Sequence, residues 1–325
     1  MSEFRVSVII PTFNHDRFIG DCLESVLQQN RPPQEVIVVD DGSTDTTPEV
    51  VAGFGTRVRY HRQENQGQAV ARAWGLQQVT GELVCLLDSD DYWDTRFLAQ
   101  AVPHFSDPSL GVAFANHDRV DTDGQAFQAD VYRNERPWIL PFVDPTPPDT
   151  WTHLDPEKTS QLYFNHFPHT PSGAVFRRSM MKHLPNRQLR RGDDYQFFMD
   201  FVIASRCATT FTMEILWHLR THDSNIRQLG RNFGLLLGSD IQAKKELLRK
   251  HYPELQASEQ RLLQEKIAED YFSWAHGCAK RREPWSAYKY YCQAIRHAGL
   301  SSTTGKALAG MAKVPFNLLR RSGSG

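Results

Sequence analysis

Cysteine is scarce in this chain and unpaired in its pattern. Cys22, Cys85, Cys207, Cys278 and Cys292 are odd in number, scattered, and form no C-x-x-C pair. That argues against a disulfide framework and a structural zinc site and fits reduced thiols, so a cytoplasmic setting is expected. Long apolar runs are missing too. No stretch approaches ~18 uninterrupted apolar residues, and Met1-Ser2-Glu3-Phe4-Arg5 enters a strand-like run without a basic, apolar leader, so no membrane-spanning segment is expected. Net charge is −1, from 37 basic and 38 acidic residues, which leaves no overall basic field to attract nucleic acid.

Within 325 residues, 40% of them hydrophobic, there is material for one large domain with additions or for two domains. The informative stretch is Glu82-Leu83-Val84-Cys85-Leu86-Leu87-Asp88-Ser89-Asp90-Asp91, an apolar run of strand length that stops in three carboxylates. A buried parallel strand reads this way, and open α/β sheets gather ligands where strands release their carboxyl ends. Carboxylates at this density repel one another unless a cation or hydrogen-bond donors offset them, and hard oxygen ligands suit Mg²⁺ or Mn²⁺. A solvated turn capping a helix near Asp94 is the plainer alternative. Against it stands a second acidic strand end upstream, Glu35-Val36-Ile37-Val38-Val39-Asp40-Asp41-Gly42-Ser43, expected to lie side by side with the first.

Arg5 to Pro11 reads as a first strand. A helix follows with Phe18, Ile19, Cys22, Leu23, Val26 and Leu27 on one face, then a short helix after Pro48, a strand at Val58 to Tyr60, and a helix from Gln66 to Val79. Strand alternates with helix, which predicts a mostly parallel sheet. Gly111 to Asn116 reads as another strand, with a hairpin signal at Asp121-Thr122-Asp123-Gly124. From Arg133 to Pro171 periodicity fades. Trp138, Trp151, Phe164, His166, Phe167 and His169 there fit either exposed faces for sugar rings or a packed satellite core. Asp193 suits an N-cap for a helix carrying Phe197, Phe198, Phe201 and Val202. After Arg227 the pattern is helical, over Asp240 to His251, Gln260 to Arg281 and Pro284 to Ala298, and Trp274, Ala275, Tyr288, Tyr291 and Ala294 are similar to a single tetratricopeptide-type hairpin.

Three motifs, Val8-Ile9-Ile10-Pro11-Thr12-Phe13-Asn14, Asp40-Asp41-Gly42-Ser43 and Asp88-Ser89-Asp90-Asp91, occur in the order and spacing of the family 2 glycosyltransferases, which the chain resembles from about Val6 to Arg227. The resemblance implies an α/β fold of the GT-A type, a Rossmann-like, mostly parallel sheet flanked by helices, here with a C-terminal helical extension. It implies a nucleotide-sugar-binding half at 1–117, an acceptor-binding half at 118–229 and a helical region at 230–325. It further implies an inverting hexosyl transfer from a nucleotide-diphosphate sugar, UDP-linked, to a carbohydrate or glycolipid acceptor in cell-surface polysaccharide or glycan synthesis, with Mn²⁺ or Mg²⁺.

By the same resemblance, Asp90 would hold the metal with Asp88 and His222, the last from the segment Leu219-Arg220-Thr221-His222. Pro11, Thr12, Asn14, Asp41, Asn65, Arg72, Asp88 and Ser89 would line the donor, with Asp41 receiving the imide of the base and Arg72 facing the nucleotide. Where the family carries Asn after that arginine, this chain has Ala73. In Gly192-Asp193-Asp194-Tyr195, Asp194 matches the catalytic base, with Asp193 and Arg220 as secondary candidates. A carboxylate in the first turn of a helix is favoured by the helix dipole.

Rival classes are weaker. A haloacid-dehalogenase-type phosphotransferase needs D-x-D directly after strand one, yet no acid follows that strand until Asp16, and the Gly-rich loop of a nucleotidyltransferase is absent there. A catalytically degenerate sugar-nucleotide-binding or scaffolding protein is the remaining alternative. No acid occurs after Glu283, whereas Lys289, Arg296, Lys306, Lys313, Arg320 and Arg321 follow, interleaved with Leu308, Met311, Val314, Phe316, Leu318 and Leu319. That mixture predicts peripheral contact at the inner face of the membrane, with packing on the catalytic domain or pairing with an acidic partner as the alternative.

Overall fold

The computed structural model describes residues 4–143, 151–189, 192–222, 233–299 and 301–314. The chain divides into two compact units, Met1–Asp223 and Ser224–Gly325.

The first unit opens with β1 (Val6–Thr12), α1 (Ile19–Leu27), β2 (Glu35–Asp40), α2 (Thr47–Ala52), β3 (Arg59–Arg62), α3 (Gln68–Gln78) and β4 (Leu83–Leu86). Every residue of β1 is buried. A run without polar alternation is stable only where both faces of the sheet are covered, and each Val or Ile so buried contributes about 1.5–3 kcal/mol. The chain steps outward from β1 to β2 to β3, all parallel, and returns on the other side of β1 as β4, again parallel. That reversal opens a crevice at the carboxyl ends of β1 and β4, the place where such sheets bind ligands. One expectation is corrected: the two acidic strand ends are not immediate neighbours, because β1 pairs with both β2 and β4 and its Thr12 stands opposite Asp40.

The unit continues with β5 (Tyr92–Trp93), α4 (Phe97–Ala101), β6 (Leu110–Val120), β7 (Ala126–Gln128), α5 (Val131–Asn134), β8 (Thr152–Leu154), α6 (Pro156–Asn165), β9 (Ala174–Arg177), α7 (Asp193–Ser205) and β10 (Ala208–Arg220). The sheet runs β3-β2-β1-β4-β9-β6-β10-β5. It is mixed, since β9 lies antiparallel between β4 and β6 while β6 and β10 are parallel. Register shifts in β10 between Thr212 and Ile215 and between Ile215 and Trp217 bend that strand. Its far half takes β5 antiparallel, with Trp217 opposite Trp93 and His218 opposite Tyr92. This pairing carries Asp90 and Asp91, just before β5, to Arg220 and His222, at and just past the end of β10. The turn into β9 passes close beneath the same strand. A Cβ at Gly173 would stand 2.2 Å from Trp217 Nε1, so only glycine fits there.

Two further corrections concern the 133–171 region and Asp193. The region is structured: α6 starts at Pro156, with the Asp155 side chain accepting a hydrogen bond from Lys158 N as its cap. Phe164 and His169 are buried, Trp138 stacks on His166 at 4.4 Å and Trp151 packs against the main core, so none of the six is exposed and the packed alternative holds. The N-cap of α7 is Gly192, held at φ 69°, and Asp193 is the first helical residue with its carboxylate turned to another partner.

The second unit contains α8 (Phe233–His251), α9 (Ala257–Lys280), α10 (Pro284–Ala298) and α11 (Ser302–Ala312). A capping box of Gln256 and Glu259 starts α9. Ile241, Ile267, Tyr271, Ala275, Tyr291, Ala294 and Ala307 form the core, and Trp274 stacks on Tyr290 at 4.0 Å, whereas Tyr288 is exposed. The part of the basic tail that is described therefore packs: Thr303, Ala307 and Val314 are buried, while Leu308 stays exposed. Residues 315–325, including Phe316, Leu318, Leu319, Arg320 and Arg321, lie outside the described residues, as do Ser224, Asn225 and Arg227 of the segment after His222. Among the described residues no helix is long and apolar enough to cross a membrane, and all five cysteines are free thiols.

Candidate active site

The loop after β1 and the turn after β2 are stitched together first. Asn14, in the left-handed conformation at φ 55°, donates its backbone N–H to Ser43 Oγ (2.9 Å) and accepts from Thr44 N through Oδ1 (2.8 Å). Asn is among the few side chains that tolerate that conformation. Gly42 at φ 85° lets the turn approach the next loop, where a Cβ would meet Asn65 N at 3.0 Å. Asp41 then organises that loop, its carboxylate accepting from Gln63 Nε2 (2.7 Å), Gln66 N (2.9 Å) and Gly67 N (2.7 Å). Three of about four acceptor positions are thereby used, which leaves room for one further donor. Beside it, Thr12 accepts Asp41 N through its carbonyl, and its buried hydroxyl has no partner among the described residues. A buried hydroxyl left in that state is costly unless a ligand completes it. Pro11 is buried just before it, and Asn65 is exposed at the rim.

Arg72 occupies the floor. Its side chain, 3% exposed, forks between Asp88 Oδ1 at 2.5 Å and Asp193 Oδ2 at 2.7 Å. Burial works against the guanidinium charge, but the carboxylates of Asp193 and Asp88 outweigh it and hold the group charged. Burial pushes both carboxyls upward, and Arg72 pulls them part of the way back. Gln68 Nε2 donates to the same Asp88 oxygen at 2.8 Å. Arg72 thus ties the β4 end to the first turn of α7, where Asp194 follows, half-buried. Ala73 is buried beneath, and Trp74 stacks on His61 at 3.6 Å.

Replacing Arg72 by Met should cost about 3–5 kcal/mol near neutral pH, because the buried Asp193 and the largely buried Asp88 lose the guanidinium that bridges them. The sign with pH follows from the upward shifts. A carboxyl whose folded value is raised binds protons more readily folded than unfolded, so stability rises as pH falls toward the ordinary carboxylate range. Urea unfolding of Arg72→Met at about pH 7.5 and about pH 5.5 should show the deficit shrinking on acidification. A deficit independent of pH would mean that lost packing dominates.

Asp90 and Asp91 diverge. Asp91 is buried and accepts from Ser172 Oγ (2.6 Å) and from Arg220 N (3.1 Å), while burial, with the charges of Asp90 and Asp88, pushes its carboxyl well up. Ser172 Oγ also receives Asp88 N at 3.2 Å, so one hydroxyl links the β4 end to the turn before β9. Asp90 Oδ2 lies 3.1 Å from His222 Nε2. Burial alone would raise Asp90, but the His222 hydrogen bond and the charge of His15 bring it below the ordinary carboxylate value. Ser89 is buried, with its Oγ 2.7 Å from His15 Nδ1. Arg220 reaches Asp21 (2.9 Å) and the Thr122 carbonyl (3.2 Å) and lies over Phe18 and Tyr92, while His222 packs on Phe18 at 4.6 Å.

The crevice therefore brings Asp88, Asp90, Asp193, Asp194 and Arg72 together with the His222 end of β10, and the Asp41 and Thr12 end of β1–β2 borders it. Carboxylates outnumber cationic side chains, so the donor set fits a divalent cation. His15, Ser172 and Gln68 are site residues that sequence reasoning did not single out, and Asp91 was read only as one of the three clustered acids. For His15 the only signal was its place directly after Asn14.

A mixed α/β sheet with an acidic crevice at its switch point defines a domain of the GT-A class. Residues 7–184 match the family described as glycosyl transferase family 2, more than half of the chain, and the chain belongs to that family. A glycosyltransferase of Bacillus subtilis provisionally assigned to teichuronic acid biosynthesis, TuaG, is 34% identical over 134 residues, covering 40% of this chain and 53% of that protein. The match thus spans about half of that relative's length. Among solved structures, Staphylococcus aureus TarS 1–349 in complex with UDP-GlcNAc superposes with a TM-score of 0.70 at 18% identity, covering 95% of this chain and 90% of that one. The mannosyltransferase PcManGT of Pyrobaculum calidifontis, in complex with GDP-Man and Mn²⁺, gives 0.53 at 18% identity, covering 98% and 83%. At such identities these structures speak for the fold.

Proposed function

We propose that this chain is an inverting, metal-dependent glycosyltransferase that moves a sugar from a UDP-linked donor to a carbohydrate or glycolipid acceptor in cell-surface polysaccharide synthesis. The observation that carries the proposal is the convergence of Asp90, His222 and the Arg72-bridged Asp88 and Asp193 on one crevice, with Asp194 one residue further along α7. The UDP-GlcNAc bound by TarS, the Mn²⁺ in PcManGT and the teichuronic acid assignment of TuaG support its finer parts.

In this reading, residues 1–117 hold the donor and 118–229 receive the acceptor. Thr12 and the remaining acceptor position of Asp41 take the base. Asp90 and His222 hold Mn²⁺ or Mg²⁺, which when bound would offset the negative charge of the departing diphosphate. Arg72 acts on the donor side through Asp88, fixing that carboxylate, and it fixes Asp193 so that the first turn of α7 keeps its place. Asp194 accepts the proton of the acceptor hydroxyl as that oxygen attacks the anomeric carbon opposite the leaving group, and a single displacement inverts the configuration.

The test is release of free nucleotide from a panel of UDP- and GDP-sugars with acceptor mixtures, in Mn²⁺ and again after chelation. UDP release from at least one UDP-sugar, lost on chelation and restored by Mn²⁺, is expected. No release from any donor, with sugar-nucleotide binding retained, would favour the non-catalytic binding protein instead.

A further inference from the structure

We propose that His15 is the third protein ligand of the cation site, completing a set of two imidazoles and one carboxylate with His222 and Asp90, and that this set favours manganese, cobalt or zinc over magnesium. The proposal rests on the reading of the crevice as a metal-dependent donor site and specifies that site's ligands. One ligand atom from each of His15, Asp90 and His222 lies within 4.8 Å of the other two. The two rings meet edge to face, with centroids 5.8 Å apart at 88°, and Phe18 packs against both.

The loop holds His15 before any cation arrives. Its backbone N–H donates to Thr47 Oγ1 at 3.0 Å, and its carbonyl accepts from Phe18 N and Ile19 N at 3.0 and 2.9 Å at the start of α1. Its ring is oriented by Ser89 Oγ at Nδ1, 2.7 Å away. A hydrogen bond on one nitrogen, with the other nitrogen left to a metal, is how metal-bound imidazoles are usually oriented. Asp88 serves differently. Its Oδ1 takes both Arg72 and Gln68, and it is not a member of the three-residue cluster.

Donor chemistry then sets the preference. Magnesium favours oxygen ligands in a near-ideal octahedron and gives up water reluctantly, whereas imidazole suits the later first-row ions. Two histidines and one carboxylate leave positions open for the oxygens of a diphosphate. Counting nitrogens on the ion distinguishes a ligand from a histidine that merely ties the loop to Ser89.

The full chain is titrated with MnCl₂, CoCl₂ and MgCl₂ alone, without nucleotide, by calorimetry, and the Mn²⁺-loaded protein is examined by pulsed electron paramagnetic resonance for nitrogen couplings. Wild type should show two imidazole nitrogens on Mn²⁺ and bind Mn²⁺ and Co²⁺ more tightly than Mg²⁺. His15→Gln should retain one nitrogen and lose about 10–100-fold in Mn²⁺ affinity, with Mg²⁺ affinity unchanged and the melting transition preserved. If His15→Gln does not fold, the nitrogen count in wild type decides alone. One nitrogen or none in wild type, or equal Mn²⁺ affinity in the folded variant, overturns the proposal. The two readings can fail separately: two nitrogens in a protein that releases no nucleotide removes the transferase reading, and one nitrogen in a protein that transfers sugar removes only the role of His15.

Discussion

Asp90→Ala should abolish metal-dependent binding of UDP. Asp90 is the carboxylate of the β4 end that faces His222, while Asp88 is engaged by Arg72 and Gln68 and Asp91 by Ser172 and the Arg220 backbone. Asp88 Oδ1 and both oxygens of Asp91 are therefore already committed to protein partners. Losing the one anionic ligand of a small set should weaken UDP binding in Mn²⁺ by at least about 100-fold, equivalent to about 2.7 kcal/mol or more. Binding of UDP in chelator, carried by Thr12, Asp41 and the loops around them, should change little. Calorimetry with UDP in Mn²⁺ and in chelator measures both. If the variant binds UDP in Mn²⁺ as tightly as the parent, the metal site lies elsewhere.

Asp194→Asn should separate binding from turnover in the other direction. The amide keeps the size of the carboxylate in the first turn of α7 but cannot take a proton. Arg72 stays paired with Asp88 and Asp193, so the crevice should keep its shape. UDP affinity should stay within about 2-fold of the parent, while transfer to acceptor falls by about 10²–10⁴-fold, the usual contribution of a general base. Wild-type turnover in this variant would remove Asp194 from the mechanism, and parallel losses of binding and turnover would make it a structural residue of the helix start.

Much of the first unit was legible because its signals are local. β1, β2 and β4 are short apolar runs closed by turn residues, and such runs declare themselves within a few positions. The acids at their ends stood out for the same reason. What was not legible depends on distance along the chain. Arg72 meets Asp193 across 121 positions, and Asp91 meets Ser172 across 81 and Arg220 across 129. No spacing rule reaches that far, so the pairing of Arg72 with Asp88 and Asp193 was not legible in the sequence.

The interposition of β1 between the acidic ends is a property of strand order, which runs do not encode. α6 is a different kind of miss. Asp155-Pro156-Glu157 is a local start signal, with a capping acid, proline at the first helical position and an acid in the first turn. Its short local signal is masked by the aperiodic, aromatic-rich composition around it, which fits a surface loop and a packed core equally. In the tail, alternating basic and apolar residues suit an interface with lipid or a helix on a protein core equally well. In the described part, Ala307 and Val314 pack into the helical core while Leu308 stays exposed, so one face of that helix is accounted for by packing.

The placement of the donor and the cation is tested most directly by diffraction from crystals grown with a UDP-sugar and Mn²⁺, recorded so that the anomalous signal of manganese locates the ion. The expected result is an ion bound by Asp90 and His222, a diphosphate beside it, the uracil near Thr12 and Asp41, and the anomeric carbon turned toward Asp194. A nucleotide bound outside this crevice, or a manganese peak away from Asp90 and His222, would contradict it.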